Sequence, residues 1–407
     1  MKNKFFKILI LIMVVCFSFS VYSACDSLAH THAYPETFTY DEQFHWFECD
    51  CGKRDTVENH RGGDATCTLL AVCSICSQGY GSLKQHEYDN YKSDLTKSWY
   101  ECDCGARDNG RFYFGLYPQT EVADGETTTA LVNIAGNPIT STRGWTSYNY
   151  YVSGIKTDCM CYKDVTYNGE IYRGVYIRNY RPYYFNYNGG STYQDENGYN
   201  TNSAYWFKYE PIEWTIVSED NGYATIVCNM ILDSQAYQDT NIHSNSEHYN
   251  NGVDTPSGIY ANNYKYSTIR KWLNETFYQT AFNSLQQAII QTIEVDNGVE
   301  STGYINNLYA GENTLDKVWL LSYEDVTTHF TSYSERYRKT TDYAQSQGAH
   351  TCFGTNFDGN GYWWLRSPSS VDSDRAEGIN IDGFVCSHDI LINNTYYGVV
   401  PALQIRL

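Results

Sequence analysis

Short runs of alternating apolar and polar residues predict β-strands between residues 171 and 322. These runs are rich in β-branched and aromatic residues, which fit the pleated, half-buried surface of a strand. The clearest are IYRGVYIRNY (171–180), IEWTIVS (212–218), YATIVCNMIL (223–232) and KVWLLS (317–322). The stretch 181–205 is rich in Tyr, Asn and Gly, which predicts a long loop.

A different spacing predicts helices between residues 266 and 294. In YSTIRKWLNETFYQTAF (266–282) apolar residues recur on one helical face, and Ser267 is placed to cap the N-terminus. The segment SLQQAIIQTIE (284–294) predicts a second helix, with Leu285 on its inward face.

A short third helix is predicted after Ser322, because Ser322 and Asp325 form a capping-box pattern. The domain at residues 112–407 therefore combines a few helices with many strands. Strands in such a domain are mainly antiparallel, so we expect the α+β class.

The N-terminal region contains an internal repeat. FHWFECDCGKRD (44–55) returns as KSWYECDCGARD (97–108), and His32 with Tyr34 returns as His86 with Tyr88. One repeat unit spans residues 30–84, and a second, truncated unit spans 85–108. Each unit is too small for a conventional hydrophobic core, so we expect disulfides or a metal to stabilise it.

The first 23 residues have the pattern of a secretory signal peptide. Lysines precede an apolar run at residues 8–19, and VYS (21–23) offers a cleavage site. Cys25 could instead carry a lipid anchor. No later run is long and apolar enough for a transmembrane helix. We therefore expect a protein that is secreted or held at the extracellular surface.

Charge excludes one class of partner. The chain has 28 Lys+Arg against 47 Asp+Glu, a net charge of −19. Nucleic acids are bound through Lys and Arg that neutralise phosphates, so we expect no nucleic-acid partner.

Four N-terminal cysteines form a candidate metal site. Cys49 and Cys51 make a C-x-C pair, and Cys73 and Cys76 make a C-x-x-C pair. Two such pairs can hold structural zinc with four thiolates, with histidines such as His60 and His86 as spare ligands. Disulfides are the competing interpretation, because an exported protein folds in an oxidising compartment.

Six ordered segments carry a family resemblance. They are FGLYPQTEV (114–122), FKYEPIEWTIVS (207–218), STIRKWLNETFYQTAF (267–282), DKVWLLSYED (316–325), YWWLRSP (362–368) and GVVPALQIRL (398–407). Together they resemble the bacterial domain of unknown function 6273, over residues 112–407. The resemblance implies an exported protein of gut-type anaerobic bacteria. The ECDCG units resemble small Cys/His repeats of such proteins.

The end of the chain is similar to the last strands of C-type lectin-like domains. The resemblance rests on the WW-x-R-S strand, on Ala376 and Ile379, on Gly383 and on the closing GVVPAL strand. Calcium-dependent lectins use an E-P-N or Q-P-D triplet followed by W-N-D, and the sequence contains neither. The resemblance therefore implies a lectin-like fold without implying calcium-dependent sugar binding.

Within YWWLRSP, Trp364 and Arg366 are candidate ligand-binding residues. Side chains alternate along a strand, so these two share one face, opposite Trp363. An arginine beside a tryptophan suits cation–π stacking or carboxylate recognition. The alternative is that both tryptophans are buried and that Arg366 pairs with an acid.

We expect a non-catalytic ligand-binding protein that functions in adhesion or recognition. Its expected partner is a glycan, a host or neighbour protein, or a cell-wall polymer. One alternative is an exported enzyme with a cysteine nucleophile, for which Cys352 with His350 and Cys386 with His388 are the candidate pairs. Another is a structural component of the surface layer.

Overall fold

The computed structural model describes residues 31–94, 96–148, 150–152, 155–181, 193–238, 259–354 and 356–407. The predicted signal peptide (1–23) and Cys25 lie outside these residues. The chain divides into two compact units. Unit 1 contains the chain up to Asn90 together with Glu101–Ala106, and unit 2 contains Tyr91–Tyr100 together with Arg107–Leu407.

Unit 1 is built on two small antiparallel sheets. The first has the order β1-β2-β3, and the second pairs β4 with β5. The strands are β1 (Thr39–Tyr40), β2 (Phe44–Glu48), β3 (Arg54–Asn59), β4 (Ala71–Val72) and β5 (Gly79–Tyr80). The side chains buried in this unit are few and include Trp46, His45 and Cys73. So small a core needs additional cross-links to be stable.

The two CDCG sequences of unit 1 fold into the same turn. Gly52 N–H donates to the Cys49 carbonyl at 2.7 Å, and Gly105 N–H donates to the Cys102 carbonyl at 2.8 Å. The glycines have φ values of 84° and 85°, a region that side-chain-bearing residues rarely adopt. The repeated sequence therefore produces a repeated local structure that brings two cysteines to one side.

Unit 2 contains a large sheet with the order β20-β26-β15-β14-β13-β12-β9, and β8 also pairs with β14. Strands β6 and β7 extend the sheet from β8. Its strands are β6 (Asn90–Ser93), β7 (Lys97–Glu101), β8 (Arg107–Glu121), β9 (Thr146–Ser147), β12 (Met160–Tyr167), β13 (Glu170–Ile177), β14 (Ser203–Asp220), β15 (Tyr223–Cys228), β20 (Val318–Trp319) and β26 (Ala402–Arg406).

A second sheet of unit 2 has the order β17-β25-β22-β23-β24. Its strands are β17 (Asp233–Ser234), β22 (Trp363–Pro368), β23 (Arg375–Ile379), β24 (Val385–Leu391) and β25 (Gly398–Val399). Shorter pairs are β10 (Tyr150–Val152) with β11 (Ile155–Thr157), β16 (Met230–Ile231) with β21 (Lys339–Thr340), and β18 (Ile293–Val295) with β19 (Thr314–Asp316). Most pairings are antiparallel; β16–β21 and β22–β25 are parallel.

The helices of unit 2 are short. They are α1 (Gly125–Ala135), α2 (Tyr193–Glu196), α3 (Thr268–Trp272), a π-helical turn (Leu273–Phe277), α4 (Tyr278–Ala281), α5 (Ser284–Ile289), α6 (Tyr323–His329) and α7 (Asp342–Gln347), with 3₁₀ turns at Tyr264–Tyr266, Glu300–Thr302 and Ser334–Arg336. Unit 2 is thus mostly antiparallel sheet with a few helices, which confirms the predicted α+β class.

Most of the predicted local structure is present, with several differences. The second predicted helix (284–294) ends at Ile289, and strand β18 follows from Ile293. The predicted loop at 181–205 contains α2 and the start of β14.

Ser267 caps α3, and Ser322 with Asp325 forms the capping box of α6, as predicted. The prediction that Leu285 faces inward is wrong, because this side chain of α5 is 52% exposed. The run 317–322 contributes only the two-residue strand β20.

Candidate metal centres and an apolar groove

Four side chains of unit 1 converge into a cluster that we name centre A. It consists of His45, His60, Cys73 and Cys76, whose ligand atoms all lie within 4.8 Å of one another. The Cys76 Sγ atom lies 3.3 Å from His60 Nδ1, and the Cys73 Sγ atom lies 3.8 Å from His45 Nδ1. Strand β2 positions His45, His60 directly follows β3, and the turn between β4 and β5 carries both cysteines.

The hydrogen bond of His60 fixes its tautomer. Its Nε2 atom lies 3.0 Å from the carbonyl oxygen of Asp41. A carbonyl oxygen can only accept, so Nε2 carries the proton and the neutral ring presents a lone pair at Nδ1. The free nitrogen therefore faces the sulfur of Cys76.

The Cys73 thiol ionises readily. Burial opposes its ionisation, but backbone N–H groups, first that of Cys76, outweigh burial and lower the pKa of Cys73 to about 5. Burial, followed by the neighbouring Cys73, raises the pKa of Cys76. One thiolate of centre A thus forms easily, and the second thiol ionises less readily beside it.

A second cluster of unit 1, centre B, contains three cysteines and one histidine. It consists of Cys67, His86, Cys102 and Cys104. The Cys67 and Cys102 Sγ atoms are 3.5 Å apart, and Cys104 Sγ lies 3.4 Å from His86 Nδ1. The Cys104 backbone N–H and then the His86 side chain lower the pKa of Cys102 to about 6. Hydrogen bonding with Cys104 and then Cys102 raises the pKa of Cys67 to about 12.

A third cluster, triad C, contains His32, Cys49 and Cys51. Cys51 Sγ lies 3.3 Å from His32 Nδ1. These residues occupy the same repeat positions as His86, Cys102 and Cys104 of centre B. The two copies of the repeat therefore place the same ligand types in the same arrangement.

The structure does not bring the four predicted metal ligands into one site. It places Cys73 and Cys76 in centre A, and Cys49 and Cys51 in triad C. Each cysteine pair lies close to histidine side chains rather than to the other cysteine pair. His60 and His86, expected as spare ligands, are members of centres A and B.

Sequence reasoning missed four members of the centres, His45, Cys67, Cys102 and Cys104, although the last two lie in the repeated CDCG sequence. His45 has no counterpart in the second repeat, where Ser98 stands at its position, so the repeat gave no signal for it. Cys67 belongs neither to a repeated C-x-C pair nor to the C-x-x-C pair. The available signal was this isolated position, because a cysteine outside every pair needs a partner from elsewhere in the chain.

Unit 1 also has an apolar groove, formed by the segment 63–83. Its volume is about 660 Å³. The apolar side chains in its wall are partly exposed, Leu69 by 68% and Val72 by 52%. The lining residues are Gly63, Asp64, Thr66, Thr68, Leu69, Leu70, Val72, Gly79 and Leu83.

Trp364 and Arg366, the candidate ligand-binding residues, lie in the core. Trp364 is 0% and Arg366 4% exposed. Trp364 Nε1–H donates to the Gln235 carbonyl at 2.8 Å, and Arg366 pairs with Asp325 and donates to the Leu320 carbonyl. These contacts are structural contacts within the core. A ligand role for the two residues stays a prediction, and their burial does not favour it.

The two candidate nucleophiles differ in exposure. Cys352 is buried and Cys386 is half-buried. Burial lowers the pKa of His350, which keeps that ring neutral. The side chain of His388 lies outside the described part of the chain.

Comparisons with known proteins agree with the resemblance seen in the sequence. No curated protein and no solved structure matches the chain. Among the described residues, no helix is long and apolar enough to cross a membrane. The family described as Domain of unknown function (DUF6273) matches residues 238–407, a range that contains four of the six predicted segments. Residues 238–407 thus resemble DUF6273, while the segments 114–122 and 207–218 precede the matched range.

Proposed function

We propose that this chain is an exported, non-catalytic recognition protein of the bacterial surface, and that its apolar groove binds an apolar segment of a partner protein. The observation that carries the proposal is the groove itself. Leucine and valine side chains exposed together in one concave surface mark interaction sites in soluble proteins.

The chemistry of the groove favours a protein partner over a glycan. Sugar sites usually offer aromatic rings for stacking and several polar groups for hydroxyls, whereas none of the residues that line this groove is aromatic. Asp64 is the charged residue in the lining. An apolar segment with a nearby Lys or Arg would satisfy both features.

Net charge narrows the choice of partner further. At −19, the chain repels anionic wall polymers. A neutral or basic host or neighbour protein meets no such repulsion. Export, directed by residues 1–23, would place the groove where such a partner is found.

A C-type lectin-like fold for residues 112–407 belongs to the same proposal. Its support is the arrangement of β22, β23 and β24 as consecutive antiparallel neighbours, with β25 beside β22. Domains of that class commonly present loops to protein partners as well as to sugars. A recognition role therefore suits both units of the chain.

The test compares two arrays, one of apolar peptides with and without a lysine and one of glycans. We expect wild-type protein to bind apolar, lysine-containing peptides. The variant Leu69→Asp, Leu83→Asp should bind them at least about tenfold more weakly, a loss of about 1.4 kcal/mol, because charges now line the groove.

The matched control is Ile305→Asp, Leu308→Asp, which changes two exposed apolar residues of unit 2. It should bind peptides as the wild type does. Equal binding by the groove variant, or binding to glycans with silence on the peptide array, would contradict the proposal.

A further inference from the structure

We propose that centres A and B each bind one zinc ion, and that the two ions together hold unit 1 in its fold. The ligands are His45, His60, Cys73 and Cys76 in centre A, and Cys67, His86, Cys102 and Cys104 in centre B. Two nitrogens with two sulfurs, or one nitrogen with three sulfurs, are ligand sets that zinc prefers in structural sites.

The separations between ligand atoms match the edges of a zinc tetrahedron. With Zn–S near 2.3 Å and Zn–N near 2.0–2.1 Å, tetrahedral geometry gives S···S of about 3.8 Å and S···N of about 3.5 Å. The Sγ···Nδ1 distances in centre A are 3.3 and 3.8 Å, and centre B has 3.4 Å. The S···S distance in centre B is 3.5 Å. These separations are those of ligand pairs on a shared ion, and the remaining ligand atoms of each cluster also lie within 4.8 Å of one another.

A second, independent observation comes from the outer hydrogen bond of His60. Histidines that bind zinc usually donate their other ring N–H to a carbonyl or carboxylate, which orients the ring. His60 Nε2 makes such a bond to the Asp41 carbonyl, and Nδ1 points into centre A. The ring is thus oriented as a ligand before any ion binds.

Disulfides explain the two centres less well. A disulfide requires its sulfur atoms about 2.0 Å apart, while Cys67 and Cys102 are 3.5 Å apart. In centre A, a Cys73–Cys76 bond would make no use of the ring nitrogens of His45 and His60 that face these sulfurs. A metal ion uses every member of both clusters.

The order of the ligands along the chain links the two centres. Cys67 of centre B lies between His60 and Cys73 of centre A, and Cys73 and Cys76 lie between Cys67 and His86. Metal binding at one centre therefore shortens the loop that metal binding at the other centre must close. The entropy cost of this second binding step is lower. Because such coupling is reciprocal, each ion should raise the affinity for the other.

The two zinc sites also hold the segment that forms the apolar groove. The groove segment 63–83 contains Cys67, Cys73 and Cys76, and it is flanked by His60 and His86. The zinc sites do not depend on the proposed partner, since the clusters exist whatever the groove binds. The test of metal content and the test of peptide binding can therefore fail independently of each other.

The experiment measures zinc per chain by elemental mass spectrometry in the full-length mature protein, purified without added chelator. We expect at least two ions per chain in the wild type. His60→Ala should lose the ion of centre A, and His86→Ala that of centre B. His329→Ala, a change at an exposed histidine of unit 2, is the control and should lose none.

Two further measurements guard against a variant that simply fails to fold. His60→Cys and His86→Cys replace one zinc ligand by another and should retain the metal. After exchange into cobalt, the thiolate-to-cobalt absorption should fall more when centre B is removed than when centre A is removed, because B has three thiolates and A has two. Unchanged zinc content in both alanine variants would overturn the proposal, as would disulfides mapped at these cysteines in protein collected from the cell surface.

Discussion

Glu377, in strand β23, is the clearest unpaired ionisable group in the described part of the core. Its side chain is fully buried, and neither carboxylate oxygen has a hydrogen-bond partner. Burial raises the pKa of this carboxyl to about 9, so the folded protein keeps it protonated at neutral pH.

The raised pKa of Glu377 predicts a pH-dependent stability. Between about pH 4.3, where an unfolded Glu ionises, and the folded pKa of about 9, the folded state binds a proton that the unfolded state has lost. The free energy of unfolding from this group should therefore fall by about 1.4 kcal/mol per pH unit as the pH rises. Glu377→Gln should remove that slope.

Urea unfolding followed by tryptophan fluorescence between about pH 5 and 8 tests this prediction. Glu300→Gln, at an exposed glutamate of the same unit, gives the background effect of removing one charge. A slope in Glu377→Gln equal to that of Glu300→Gln would contradict the account.

The sequence identified candidate site residues where the residue type alone indicates the chemistry. The cysteines stood out as a set that needed partners, and they are close to histidines. Their grouping was not predictable, because connectivity among several cysteines cannot be read from spacing. The ligand role expected for Trp364 and Arg366 shows the same limit. Alternation along a strand indicates which side chains share a face, but it does not indicate whether other elements bury that face.

At the scale of elements, helix α6 depends on its capping box. Ser322 Oγ accepts from Asp325 N–H at 3.0 Å, and the Asp325 carboxylate accepts from Ser322 N–H at 2.9 Å. Ser322→Ala removes the first bond, and we expect it to destabilise unit 2 by about 1 kcal/mol.

Chemical denaturation measures this loss as a shift of the unfolding midpoint. Thr328→Ala changes an exposed hydroxyl of the same helix and is the matched control. If the two variants lose equal stability, the capping box contributes nothing beyond an ordinary surface hydroxyl.

Elements with local signals were predicted better than elements set by tertiary contacts. The caps at Ser267 and Ser322 are local and were identified. Helix α5 was predicted, but the position of Leu285 was wrong, because the face that a six-residue helix buries depends on its neighbours. Residues 91–100 were assigned to the truncated repeat, and the structure groups them with unit 2, where β7 pairs with β8.

At the scale of the whole molecule, the two units are stabilised in different ways. Unit 2 buries a continuous core of aromatic and aliphatic side chains between its sheets and helices. Unit 1 has a small core and a high density of cysteine and histidine. The chain thus combines a conventional domain with a module whose stability we assign to bound metal.

The most direct test of that assignment is hydrogen exchange on the full chain, with and without a zinc chelator, under reducing conditions. We predict that chelation removes protection from unit 1 amides, including Cys73 N–H, which donates to the Gln78 carbonyl at 2.8 Å, and Gly105 N–H. Amides of β13 and β14 in unit 2 should stay protected. If unit 1 remains protected after its metal has been removed, zinc does not hold this unit together and the central claim is wrong.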